Sequence, residues 1–179
     1  FILLVWGCFS LKAQQTAVQN DTVEVASYDC YISQTKQKLR KKLFASTSPL
    51  HLRVNNSDYV FGTLQFGKRK GKIYMYLQIL DKNVCIKRDK VLDVFFKNGE
   101  VVTYKNDFDL NCDGYFAKQM KKKEVQKLVE NEILQMKIYT YNKNYELFVS
   151  EVQNVDIDTQ LSCLQVYKVK KSDEVKVKK

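Results

Sequence analysis

The chain has 179 residues, 45% hydrophobic and 28% charged, a composition that fills one globular domain and excludes collagen-like, disordered and polytopic membrane architectures. Thirty Lys and Arg stand against twenty Asp and Glu, for a net charge of +10. One His and one Pro leave few of the usual parts of a hydrolytic or zinc site.

Phe1 to Leu11 form an apolar run too short to span a bilayer, broken by Lys12-Ala13-Gln14. This reads as the h-region and cleavage zone of a secretory signal peptide without its basic n-region, with cleavage expected near Ala13. A lipoprotein signal acylated at Cys8 is the rival, and bulky Trp6 before Gly7 fits it poorly. Export removes Cys8 and leaves Cys30, Cys85, Cys112 and Cys163, an even count that allows three disulfide pairings in an oxidising compartment. The chain contains no C-x-x-C pair and no Cys/His cluster.

Thr22 to Tyr28 alternates and predicts a first strand ending at Cys30. Ile32, Leu39, Leu43 and Phe44, with Lys36, Lys38, Arg40, Lys41 and Lys42 between them, predict a short basic helix over 33–44, stopped before Ser46-Thr47-Ser48-Pro49. Asp58 to Phe66 alternates and turns over Gly67-Lys68-Arg69-Lys70-Gly71 into a half-buried strand, Ile73 to Ile79. Strands 91–97 and 100–106 meet across Asn98-Gly99, a pair suited to a type I′ hairpin turn.

If strands 73–79 and 91–97 are adjacent and antiparallel, Cys85 lies in their connection and Cys112 just beyond the third strand, at the same sheet edge. That meander pairs Cys85 with Cys112, because a disulfide needs Cα atoms roughly 4.4–6.8 Å apart. Elimination then pairs Cys30 with Cys163.

Asp109-Leu110-Asn111-Cys112-Asp113-Gly114 matches D-x-[DN]-x-[DN]-G, the opening half of a calcium loop, in which alternate oxygens converge on the ion. Asp109, Asn111 and Asp113 are the candidate ligands, with Asp107 as a substitute. Position twelve, where a bidentate Glu would close the site, is Met120, followed by Lys121 to Lys123. The competing reading, an Asx-rich turn whose side chains cap backbone groups, is preferred.

Beyond Gly114 the period changes. Val125, Leu128, Val129 and Ile133 share one stripe and predict a helix over 120–132. Gln135–Tyr141 and Tyr145–Val149 predict another strand pair. Val152, Val155, Leu161, Leu164 and Tyr167 predict a C-terminal helix within 150–167, although Asp156-Ile157-Asp158-Thr159 resembles turn or cap chemistry. The expected organisation is a signal over 1–13, a single domain over 14–167 and a charged tail over 168–179. The fold class is α+β: an antiparallel sheet of six or seven strands with one or more helices packed on it.

A strand followed by Cys85, the Phe95-Phe96-Lys97-Asn98-Gly99 hairpin, Asn111-Cys112-Asp113-Gly114, a helix feeding Ile138-Tyr139-Thr140, and a late Ser162-Cys163-Leu164 together resemble a group of uncharacterised small secreted proteins of Bacteroidota. The resemblance spans about Gly71 to Leu164. It implies export and a small α+β domain, and it carries over no catalytic residue.

The positive charge is local. Residues 35–90 hold fourteen Lys and Arg against three acids, whereas 91–117 sum to −3 and 144–165 to −4. The expected basic face comprises Lys36, Lys38, Arg40, Lys41, Lys42, Lys68, Arg69, Lys70 and Lys72. Tyr59, Phe61, Tyr74 and Tyr76 near it would suit nucleic acid, but export argues against that partner. An anionic envelope component or another protein fits the compartment better, and a merely solvated lysine-rich surface is the ordinary alternative. His51 lies beside Pro49, and no nucleophile elbow or H-E-x-x-H is present. Pairs such as Glu130 with Glu132 or Asp156 with Asp158 arise in any chain this rich in acids. The sequence therefore favours an exported, non-enzymatic binding protein with no cofactor. The alternatives are a calcium-binding adhesion-type module and a hydrolase-like enzyme with an unrecognised site.

Overall fold

A computed structural model describes residues 30–39, 42–55 and 59–171, which form ten strands and two helices. The expected signal, the strand at 22–28, Arg40, Lys41 and the last eight residues lie outside the described residues. The α+β class holds, with more strands than the six or seven expected, because the chain builds two antiparallel sheets. The larger sheet contains β1 (Ile32–Leu39), β2 (Lys42–Thr47), β3 (Leu50–Arg53), β4 (Phe61–Arg69), β5 (Lys72–Ile79) and β8 (Tyr115–Met120). Its order is β1-β2-β4-β5-β8, with β3 also paired to β4. The smaller sheet has the order β10-β9-β6-β7, from β6 (Val91–Phe96), β7 (Val101–Lys105), β9 (Ile133–Tyr139) and β10 (Asn144–Phe148).

Period-two patterning explains these strands. Along β5, Ile73, Met75, Leu77 and Ile79 are buried while Tyr74, Tyr76 and Gln78 are half-buried on the other face. Leu92, Val94 and Phe96 of β6 and Met136 and Ile138 of β9 point into the same core from the smaller sheet. A polar corner near the end of β5 links the sheets: the Tyr145 hydroxyl donates to Asp81 at 2.9 Å and Lys143 pairs with the same carboxylate at 3.0 Å. Lys143 above all, then Tyr145, holds the Asp81 pKa below its ordinary value.

Four local expectations are corrected. The basic segment 33–44 is the β1–β2 hairpin rather than a helix, because Leu43 to Thr47 alternates and pairs with β4 through Ala45 and Ser46, and that cross-strand packing outweighs the local spacing. Strands 73–79 and 91–97 are not neighbours: β5 pairs with β4 and β8, and β6 pairs with β7 and β9. At Asn98-Gly99 the Gly99 amide donates to Phe96 and the Phe96 amide to Glu100, and Gly99 alone has positive φ (86°). That is a type I turn with a bulge glycine. The two-residue turn with both centres at positive φ is Lys70-Gly71, at 48° and 74°, between Arg69 and Lys72. Finally, Asp156 to Thr159 lie inside α2 (Glu151–Val166). The cap of that helix is Ser150, whose Oγ accepts from the Gln153 amide while the Gln153 side chain accepts from the Ser150 amide.

Helix α1 (Lys122–Glu130) falls within the expected span, burying Val125 and Leu128. Strands β3 and β8 have no counterpart in the sequence reading.

Both disulfides form as expected, Cys30 with Cys163 and Cys85 with Cys112. The second does so for a different reason. Residues 80–90 and 106–114 each carry the chain from one sheet to the other, and they travel side by side. Val84 bridges Asp113, Ile86 bridges Asn111, and the Gly114 amide donates to Val84 at 2.9 Å. The disulfide therefore joins two sheet-to-sheet crossings rather than two loops of one meander. Chain-entropy reasoning gives the two bridges, with sequence separations of 133 and 27, stabilisations of roughly 5 and 3.5 kcal/mol.

Gly114 ends the second crossing at φ 72°, and a Cβ there would lie 2.5 Å from the Ile79 carbonyl oxygen, whereas at Gly71 a Cβ would meet nothing within 4 Å. Gly114→Ala should therefore cost about 3 kcal/mol, combining left-handed strain with a backbone clash, against about 1 kcal/mol for Gly71→Ala. Chemical denaturation of both variants measures the difference, and equal losses would refute the close approach.

Candidate functional site

Because β4, β5 and β8 are neighbours, their outward side chains form one surface. Tyr74 and Tyr76 stand two residues apart on β5, rings 6.2 Å apart and near parallel, and Phe44 of β2 meets Tyr76 edge-on at 5.8 Å. The Arg69 guanidinium lies 5.0 Å from the Tyr74 ring centre. The register sets Gln119 opposite Tyr74 and Ala117 opposite Tyr76. Ala117 has no side chain beyond Cβ, so a depression opens beside Tyr76.

The two crossings wall that depression. Arg88 comes from the first, and Asp107, Phe108 and Asp109 come from the second, enclosing a cleft of about 330 Å³. The Asp107 amide donates to the Ala117 carbonyl at 2.8 Å and its carboxylate accepts from the Gln119 amide at 2.8 Å. Asn106 Oδ1 accepts from the Ala117 amide at 3.0 Å. The free edge of β8 is thus covered by the segment that builds the wall. Arg88 approaches Asp109 at 3.7 Å and Lys118 approaches Asp107 at 3.6 Å. Tyr74 donates to Gln119 Oε1 at 3.3 Å. The cleft thus offers guanidinium, ammonium, phenol and amide donors beside two carboxylate acceptors.

The structure sorts the expected basic face into separate roles. Lys68 follows Leu64 and Phe66 on the inward side of β4, and its Nζ donates to the carbonyls of Leu164, Gln165 and Tyr167 at 2.7–2.9 Å. It caps the C-terminus of α2 and does not belong to a solvated binding face. Partial burial lowers the Lys68 pKa. Arg69 belongs to the cleft, and Lys70 and Lys72 are exposed at the hairpin turn. Lys36, Lys38 and Lys42 lie on β1 and β2, and their side chains, like Arg40 and Lys41, lie outside the description.

The calcium candidates all lie along the second crossing. Asn111 Oδ1 accepts from the Tyr115 amide at 2.9 Å and its Nδ2 donates to the Tyr115 carbonyl at 2.9 Å, so its side chain caps backbone groups four residues on. Asp107 and Asp109 face Lys118 and Arg88, and the Asp113 carbonyl accepts from the Gln78 side chain at 3.2 Å. Among the described residues no group of three or more His, Cys, Asp or Glu gathers to hold a metal ion.

His51 is exposed on β3, with Thr63 Oγ1 3.4 Å from its Nδ1, and it does not line the cleft. Glu130, Glu132, Glu151 and Asp158 line an open groove between the helices, where Lys97 pairs with Glu132 at 2.5 Å and Glu151 at 3.6 Å. Among the described residues no helix is long and apolar enough to cross a membrane. Of the aromatics expected near the basic face, Tyr74 and Tyr76 reach the cleft, whereas Tyr59 and Phe61 lie towards the opposite end of β4. Arg88, Phe108, Lys118 and Gln119 were not legible as site residues. Their one signal was the Cys85–Cys112 pairing, which places Arg88 and Asp109, three residues from each cysteine, on neighbouring strands of chain.

No protein family, curated protein or solved structure matches the chain.

The Lys68 cap has a direct check. Lys68→Met should lower stability by about 1 kcal/mol through three lost charge-assisted bonds to helix carbonyls, while Lys70→Met at the exposed turn should stay within about 0.5 kcal/mol of the parent. Thermal unfolding of the two variants reads this directly, and matching midpoints would contradict the cap.

Proposed function

We propose that this is an exported, non-enzymatic binding protein of the cell envelope or its surroundings that holds an anionic partner with one end and the outer face of its larger sheet. The observation that carries this reading is the gathering of cations by strand register. Ile73 pairs with Met120, so the Arg69–Lys72 turn lies beside Lys121, Lys122 and Lys123 at the start of α1. Lys70, Lys72 and all three of those lysines are exposed, with Glu124 the nearest acid in sequence. Residues distant in the chain, Arg69, Lys70 and Lys72 with Lys121 to Lys123, thus form one positive end.

Two disulfides suit an oxidising compartment, as do the apolar N-terminal run and the resemblance to secreted proteins of Bacteroidota. The cleft lies away from His51, Glu130, Glu132, Asp156 and Asp158, and its own carboxylates, Asp107 and Asp109, face Lys118 and Arg88, which supports binding over hydrolysis.

The test is retention of the purified protein on dextran sulfate beads and on phosphatidylglycerol liposomes, against uncharged dextran and phosphatidylcholine, over a salt series. Binding to the anionic supports, lost as ionic strength rises and weakened by a Lys70→Gln, Lys72→Gln, Lys122→Gln triple variant, is expected. Equal behaviour on charged and neutral supports would overturn the reading.

A further inference from the structure

We propose that the cleft over Tyr74, Tyr76, Ala117 and Gln119 binds a carboxylated sugar unit of an acidic polysaccharide. This inference rests on the reading of the sheet face as an anion-binding surface, and it names the ligand class from the chemistry of the cleft.

Size comes first. A volume of about 330 Å³ lies at the lower end of the range for small-molecule sites, roughly 300–1,000 Å³. It is partly open to solvent, which admits one unit of a longer chain.

Charge comes second. Arg69, Arg88 and Lys118 face Asp107 and Asp109, an excess of one positive charge. A ligand with a dense array of phosphates or sulfates would set several anionic groups against those two carboxylates. A sugar acid presents one carboxylate among many hydroxyls. The carboxylate suits a guanidinium, which offers a planar fork of donors. The hydroxyls both donate and accept, and so use the Asp carboxylates, the Gln119 amide and the Tyr74 phenol, which here already bond to one another at 3.3 Å. Phe108 and the tyrosine rings supply apolar surface for the C–H faces of a pyranose.

Preorganisation comes third. The floor is two paired strands, and the wall is the disulfide-joined double crossing held by the Ile86 and Asn111 bridge. The site therefore loses little freedom on binding. Arg88 and Asp109, 3.7 Å apart with side chains 68% and 85% exposed, form a solvent-screened pair that a ligand carboxylate can replace at small cost.

Titration calorimetry with polygalacturonate, its fully methyl-esterified form, dextran sulfate and neutral dextran tests this. Polygalacturonate should bind, while the ester and neutral dextran should not. Arg88→Gln alters an exposed side chain and Tyr74→Phe keeps the ring, so both variants should fold. Each should weaken polygalacturonate about tenfold, the loss of one charge-assisted or well-placed hydrogen bond, and leave dextran sulfate within about twofold. Polygalacturonate binding that is unchanged in both variants, or absent while dextran sulfate binds, overturns the cleft assignment and leaves the anionic surface standing. Failure of every polyanion to bind overturns both.

Discussion

The structure depends on how two antiparallel sheets are held to one another across only a few covalent crossings. Residues 80–90 and 106–114 make adjacent crossings, and each would be an irregular segment with unpaired backbone groups if it travelled alone. Together they form a short ladder through Ile86 and Asn111 and through Val84 and Gly114, closed by Cys85–Cys112. The consequence reaches beyond stability. The same double crossing covers the open edge of β8 through Asn106 and Asp107, and it raises Arg88, Phe108 and Asp109 above the sheet as the wall of the cleft.

Charge is organised by the same topology. A lysine-rich sequence becomes three distinct things once folded. Lys68 is turned inward to finish α2, Arg69 joins an aromatic row with Tyr74 and Tyr76, and Lys70 and Lys72 join Lys121 to Lys123 at an exposed end. Acidic residues collect elsewhere, in the groove between α1 and α2. Net charge alone could not separate a helix cap from a binding group. The distinction lies in strand parity, since Lys68 shares the inward face with Leu64 and Phe66 while its neighbours Arg69 and Gly67 face outward.

Where one face of an element is buried, its period was readable. Ile73 to Ile79, the stripe of α1 and the strand pairs around Asn98-Gly99 and Asn142 all show this. Segments defined by tertiary pairing were not readable. Lys36 to Phe44 has helical spacing and still forms a hairpin, because Ala45 and Ser46 pair with β4. β8 follows a turn-rich stretch and is a strand only because β5 offers it an edge. The meander that would bring Cys85 to Cys112 does not exist, and the pairing holds because both cysteines sit on adjacent crossings. The cleft inherits this limit. Its floor was visible as tyrosines alternating on one strand, whereas its walls come from segments whose adjacency only the double crossing creates.

That the double crossing is covalently closed is the claim on which the fold and the cleft both stand. Proteolysis of the unreduced protein followed by mass spectrometry of the linked peptides measures it most directly. The account predicts one peptide pair joined through Cys85 and Cys112 and a second through Cys30 and Cys163. A Cys30–Cys85 link, or free thiols at Cys85 and Cys112 in protein purified under oxidising conditions, would contradict it.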